Sequence, residues 1–295
     1  MIFNKMKVYE KKIPDDIFKK YSGKNFNESW YTHIIDSNNN GYYTFEGKLK
    51  ILFKFRKNVI SKKYQDIAIN TFLSESKKKH SNRGIAAGIS SDGKARHFTS
   101  TGQNEGKYIS SNISGYFDRP LREHRGILQT IKACRTTSFT LRNKDTWISS
   151  LPFIEKCSEL YKKLGSTYYT DQKKEWDSIN PELKIPRSVF TTITSNYNWR
   201  TACHCDSGDF IDGLGNLIIT GSDFTGCYLG FPQFKVLIKI EPGDFLLMDV
   251  HQWHCNTPLK LQSDKGFRLS FVMYIRQDMK LCKKMKKINK TRYFI

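Results

Sequence analysis

No apolar run in this 295-residue chain approaches the roughly 18–20 residues that a membrane-spanning helix needs. The start, Met1-Ile2-Phe3-Asn4-Lys5-Met6-Lys7, carries neither an apolar h-region nor a small-residue cleavage site, so no secretory leader is read there. The seven cysteines are odd in number, scattered, and include no Cys-x-x-Cys pair. That argues against a zinc ribbon or a disulfide framework and for reduced thiols. No internal repeat is visible. Acidic residues are scarce, since 28 Asp and Glu stand against 49 Lys and Arg, for a formal net charge of +21. The expectation is a soluble, intracellular protein with no membrane role and no obligate protein partner. Its excess charge calls for a polyanion, most simply nucleic acid, although an A/T-rich genome would also enrich Lys, Asn and Ile without any selection for binding.

What is present is ordered from the N-terminus. A short helix is possible around Asp15–Tyr21. Tyr42–Ile60 reads as a hairpin turning at Glu46-Gly47, with Leu49, Ile51, Phe53 and Phe55 alternating against Lys48, Lys50, Lys54 and Arg56. Residues 62–79 read as a helix, and the Ser-, Gly- and Asn-rich stretch from Ser90 to Ser114 as a long loop closed by Gly115–Pro120. Helical spacing returns over Thr146–Leu164, interrupted at Pro152. From Val189 the pattern changes to short β runs: Val189–Ile193, Ala202–Asp206, Leu214–Thr220, Cys227–Phe231, Val236–Ile240, Phe245–Met248 and Arg268–Ile275. So many short antiparallel strands predict a sandwich or jelly roll. The fold class expected is α+β, a double-stranded β-helix core flanked by helices. Residues 1–79 would form an N-terminal extension packed on it, residues 80–279 the catalytic domain, and residues 280–295 a basic tail.

The chemistry is concentrated in the β-rich half. His204 and Asp206, two residues apart, lie on one side of an extended backbone. A second histidine from a distant strand would complete the two-His-one-carboxylate set that holds non-haem Fe(II) with open positions. His254, just after the turn that follows Phe245–Met248, suits this better than His251. Cys203, Cys205 and Cys255 stand beside these residues as alternative thiolate ligands or as small fillers. On the last strand, Arg268, Ser270, Val272, Tyr274 and Arg276 share one face, and Leu269, Phe271, Met273 and Ile275 the other. The second set is a packing face. Arg268 and Ser270 on the first suit the distal carboxylate of 2-oxoglutarate.

Larger blocks of sequence resemble the TET/JBP family of Fe(II)/2-oxoglutarate dioxygenases: residues 190–198 (FTTITSNYN), 204–209 (HCDSGD), 225–232 (TGCYLGFP), His254-Cys255-Asn256 and residues 268–274 (RLSFVMY). The resemblance extends upstream to Asn82-Arg83-Gly84 and Cys134-Arg135-Thr136, and so covers about residues 80–279. It implies oxidation of the 5-methyl group of a flipped pyrimidine, thymine or 5-methylcytosine, in DNA, with RNA possible. By position it implies iron at His204, Asp206 and His254, and 2-oxoglutarate at Arg268 and Ser270 with help from Arg83. Tyr274 would stack on the base, Asp209 would read its edge, and Asn196 would line the pocket. Arg276 departs from the pattern, standing where TET-type members have histidine, and leaves the base undecided. The cofactors expected are Fe(II), 2-oxoglutarate and O2. A prolyl or lysyl hydroxylase with the same iron site, or a silent nucleic-acid-binding module, are the competing readings.

Overall fold

The structure is a computed structural model, which describes residues 6–80, 83–88, 109–118, 134–282, 285–288 and 291–294. Asn82, most of the expected loop at Ser90–Ser114 and parts of the C-terminal tail lie outside these residues. Among the described residues no helix is long and apolar enough to cross a membrane.

Two sheets form the centre. The larger runs from edge to edge as β1 (Lys7–Val8), β3 (Asn39–Phe45), β4 (Lys48–Arg56), β13 (Phe245–Met248), β9 (Gly215–Ser222), β16 (Phe267–Tyr274), β8 (Thr192–Tyr197), β6 (Ile109–Phe117), β7 (Cys134–Thr136), β18 (Thr291–Phe294) and β17 (Met285–Ile288), with β5 (Lys79–His80) beside β6. The smaller has the order β14 (Cys255–Asn256), β11 (Leu229–Phe231), β12 (Val236–Ile238) and β2 (His33–Ile35). A two-stranded ribbon pairs β10 (Phe224–Gly226) with β15 (Leu259–Leu261). The N-terminal segment contributes to both sheets, because β4 pairs with β13 and β2 with β12. Its hairpin turns where expected: Glu46 and Gly47 both have positive φ, 48° and 72°, the geometry of a tight turn whose twist matches the strands.

Strand alternation makes two cores out of one sheet. On β13, Phe245 and Leu247 face the helices while Leu246 and Met248 face the smaller sheet. On β9, Ile218 faces the helices and Leu217 and Ile219 the smaller sheet. The helical layer comprises Lys62–Ser76, Leu151–Leu164 and Ser166–Ser178 together with shorter turns of helix. It buries Ala68, Phe72, Phe153, Ile154, Cys157 and Tyr161 against Leu269, Phe271 and Met273 of β16. Pro152 sits in the first turn of Leu151–Leu164, where its missing N–H has no intrahelical acceptor to lose. It therefore starts this helix rather than breaking a longer one.

Three expectations are corrected. Residues 109–117, read as the end of a loop, form β6, buried between β8 and β7. Their Ser, Asn and Gly content hides the strand, because those residue types give no apolar alternation to read. Ala202–Asp206 is not a strand: His204 makes one isolated bridge, to His254. The thiols are not all free, since Cys134 and Cys282 are joined as a disulfide across 148 residues, with Cα atoms 5.9 Å apart.

Phe271 anchors the helical layer, fully buried, with ring centroids 5.3 Å from Phe72 and 5.2 Å from Phe153. Phe271→Ala is expected to cost about 3–5 kcal/mol in urea unfolding. Leu49→Ala, at a residue left 49% exposed on β4, is expected to change stability by less than about 0.5 kcal/mol.

Candidate active site

The site begins with a backbone pairing. His204 N–H donates to the His254 carbonyl and His254 N–H to the His204 carbonyl, each at 3.0 Å, and Asp206 N–H donates to Val250 O at 3.0 Å. Two segments fifty residues apart in sequence are thereby fixed side by side. The imidazole centroids stand 4.3 Å apart. Asp206 faces both rings, with Oδ1 3.6 Å from His204 Nε2 and Oδ2 3.7 Å from His254 Nε2. One ligand atom from each of the three residues falls within 4.8 Å of the others.

Each ring is oriented by its other nitrogen. His204 Nδ1 meets Ala202 O at 2.7 Å and His254 Nδ1 meets Gln252 O at 2.9 Å. A backbone carbonyl only accepts, so both Nδ1 atoms donate and both Nε2 atoms are turned toward the carboxylate. Burial, and then the neighbouring His204, push the pKa of His254 down to about 4, with Asp206 opposing. The ring is neutral near pH 7, as a metal ligand must be. His251 is aimed elsewhere, its Nε2 3.2 Å from Phe210 O. Cys203 and Cys255 point away from the cluster into an aromatic core with Phe18 and Phe26, where Cys255 Sγ lies 3.3 Å from Tyr31 Oη. Cys205 does reach the cavity, and burial and the carboxylates of Asp206 and Asp249 push its thiol up to about 12, but the ligand atoms that converge are those of His204, Asp206 and His254.

A cavity of about 390 Å³ opens over this cluster, and the structure brings all ten residues singled out from the sequence to its lining. The inner face of β16 forms one wall. Arg268 is 1% exposed, its backbone N–H held by Asn198 Oδ1 at 2.7 Å, while its buried Nε has no partner among the described residues. Ser270 lies opposite Asn196 of β8, which lies opposite Ser111 of β6. Ser111 donates to Asn196 Oδ1 at 2.8 Å and accepts from Arg83 Nε at 2.9 Å, which ties Arg83 to the far edge of the wall. The Tyr274 hydroxyl meets Thr194 Oγ1 at 3.0 Å.

Arg276 and Asp209 do not stand independently, as their separate sequence readings suggest. Arg276 Nη1 is 3.7 Å from Asp209 Oδ1, and Nε and Nη2 donate to the two oxygens of Asp118 at 3.1 and 3.4 Å. Burial lowers the pKa of Arg276, but Asp118 and its other neighbours more than reverse this and raise it above the ordinary value. Burial, then the negative Asp206, hold the Asp209 carboxyl well above the usual carboxylate range against the pull of Arg276. Asp118 escaped sequence reasoning. Its partner is 158 residues away, and nothing local marks it.

Fold and cluster together have the form of a non-haem iron oxygenase. The Tet_JBP family, described as the oxygenase domain of the 2OGFeDO superfamily, matches residues 113–277, and the chain belongs to that family. It is 33% identical over 194 residues to thymine dioxygenase JBP1 of Crithidia fasciculata, covering 65% of this chain and 23% of that one. Against thymine dioxygenase JBP1 of Trypanosoma brucei brucei the identity is 36% over 170 residues, 57% of this chain and 19% of the relative. The chain therefore spans about a fifth of the length of these curated relatives. A solved structure of NgTET1 in complex with 5mC DNA shares the fold, with a TM-score of 0.56 at 12% identity over 95% of this chain and 84% of that one.

Two outcomes test the geometry. His204→Ala, Asp206→Ala and His254→Ala are each expected to weaken Co(II) binding at least about 100-fold by calorimetry, while His251→Ala retains it. In chelator-treated protein, His254 binds its proton less readily folded than unfolded. Its contribution to stability is therefore full above about pH 6.5 and is lost as pH falls toward about 4. Urea midpoints should decline across that window, and His254→Asn should flatten the decline.

Proposed function

We propose that the protein is an Fe(II)- and 2-oxoglutarate-dependent dioxygenase that converts the 5-methyl group of a flipped pyrimidine in DNA to hydroxymethyl. The observation that carries this reading is the inner face of β16, where Arg268, Ser270, Tyr274 and the neighbouring Arg276 face one cavity with the His204–Asp206–His254 cluster. Two imidazoles and a carboxylate suit Fe(II), and the superfamily implies both that metal and 2-oxoglutarate. The unpartnered, buried Nε of Arg268 fits a carboxylate, because a guanidinium left unsatisfied in a core is costly and a bidentate anion satisfies it. When bound, the iron and 2-oxoglutarate supply, with O2, the oxidising power to hydroxylate a C–H bond.

The chain's own residues do the rest. Arg268, with the Ser270 hydroxyl beside it, would anchor the distal carboxylate of the co-substrate. Arg83, braced by Ser111, would add positive charge at the far edge of the same wall. The Tyr274 ring, fixed by the Thr194 contact, would stack on a base that has left the helix, since a methyl group within a duplex cannot reach this cavity. Asp209 and Arg276 would meet the edge of the base, one as acceptor and one as donor. The products would be a hydroxymethylpyrimidine, succinate and CO2. Thymine is the favoured base, on the strength of the thymine dioxygenases at 33–36% identity, and the +21 charge suits a polyanionic substrate.

Nucleoside mass spectrometry tests this on DNA and RNA carrying thymine, uracil or 5-methylcytosine, incubated with Fe(II), 2-oxoglutarate and ascorbate. Hydroxymethylpyrimidine is expected only when 2-oxoglutarate is present. Arg268→Ala is expected to lower kcat/KM by about 100-fold or more, with a raised KM for 2-oxoglutarate. Turnover on a prolyl or lysyl peptide, with no oxidised pyrimidine on any nucleic acid, would sink the proposal.

A further inference from the structure

Three ionisable side chains from three distant parts of the chain are buried together beside the cavity: Asp118 after β6, Asp209 in the loop after the metal-ligand candidates, and Arg276 just past β16. All are at most 9% exposed. Asp118 occupies one whole edge of the guanidinium, receiving Nε–H at 3.1 Å and Nη2–H at 3.4 Å. The Phe117 ring covers a face of it, with Cζ 4.9 Å from the centroid. The Arg276 backbone N–H is held by Thr191 Oγ1 at 3.2 Å. On the remaining side is Gly208, where any Cβ would collide with the guanidinium. An arginine gripped on its edge, face and backbone cannot swing.

The consequence falls on Asp209. Nη1 is the part of the guanidinium that Asp118 leaves free, and it stops 3.7 Å from Asp209 Oδ1, beyond the 2.7–2.9 Å of a charge-assisted hydrogen bond. Among the described residues only Asp118 holds the Nε edge of the guanidinium, and the other carboxyl group paired with it is that of Asp209. Without Asp118, Arg276 and Asp209 would close into a direct pair, and each would use up the hydrogen-bonding capacity of the other. We propose that Asp118 is a positioning residue that keeps Arg276 and Asp209 apart, so that they present a separate donor and acceptor to the edge of the substrate base. Asp118 does not line the cavity and acts only through Arg276. The inference rests on the reading of the site as a pyrimidine pocket.

A double-mutant cycle tests it with steady-state kinetics on DNA duplexes carrying thymine or 5-methylcytosine, using wild type, Asp118→Asn, Arg276→Gln and the double variant. Activity of the wild type on either duplex is the first requirement, and its absence would count against the proposed function rather than against Asp118. Given that activity, Asp118→Asn is expected to raise KM for the preferred duplex about ten-fold with a smaller change in kcat. The ratio of kcat/KM between the two bases should move toward one. In the Arg276→Gln background, Asp118→Asn should add less than about two-fold, because the group it positions is gone. Should Asp118→Asn alone fail to fold, the comparison of Arg276→Gln with the double variant, which strands no buried charge, carries the test. Equal KM values there support the proposal. A further loss in the double variant, or a fall in kcat at constant KM and constant base preference, would overturn it and leave Asp118 a structural ion pair.

Discussion

Two reciprocal backbone hydrogen bonds between His204 and His254 are the constraint on which the site depends. They are not part of a long ladder; the bridge is isolated. Its stability is borrowed from the elements on either side, with β13 leading into the His254 turn and β14 leaving it for the smaller sheet. Because the pairing fixes both backbones, it fixes both Cβ positions, and the Nδ1 contacts to Ala202 O and Gln252 O then fix both rings. What remains for a metal is two Nε2 atoms and a carboxylate already facing one another, so little ordering entropy is left for binding to overcome.

The polar wall of β16 is affordable because the strand alternates. Arg268, Ser270 and Tyr274 are buried in a sheet interior, an expensive place for polar groups, yet the opposite face of the same strand puts Leu269, Phe271 and Met273 into the largest apolar core of the molecule. The packing face holds the strand while the other face is spent on chemistry. On β6, Ser111 links two of the lining residues, donating to Asn196 Oδ1 and accepting from Arg83 Nε, while Ile113 and Phe117 of the same strand line the cavity themselves.

Much of this was legible in the sequence, for a physical reason. A period of two on the last strand separates the two faces without any knowledge of partners, and His204-x-Asp206 is a local pattern set by the same period. The hairpin at Glu46-Gly47 is equally local. What was illegible is long-range or disguised. The Asp118–Arg276 pair spans 158 residues and the Cys134–Cys282 pair 148, and no periodicity connects such positions. Strand β6 carries serines, glycine and asparagine, residue types depleted from strands and lacking the apolar alternation by which a strand is read. The segment around His204 looks extended but gains its shape from one bridge rather than from a strand.

If metal, co-substrate and base share the one cavity, as proposed, their turnover must be coupled. The most direct measurement counts succinate and oxidised pyrimidine together in the same reaction with Fe(II), 2-oxoglutarate and duplex DNA. The account predicts that DNA accelerates succinate formation and that about one succinate accompanies each oxidation, as the stoichiometry of a coupled dioxygenase requires. Succinate released at the same rate with or without DNA, and unaccompanied by oxidised base, would contradict it.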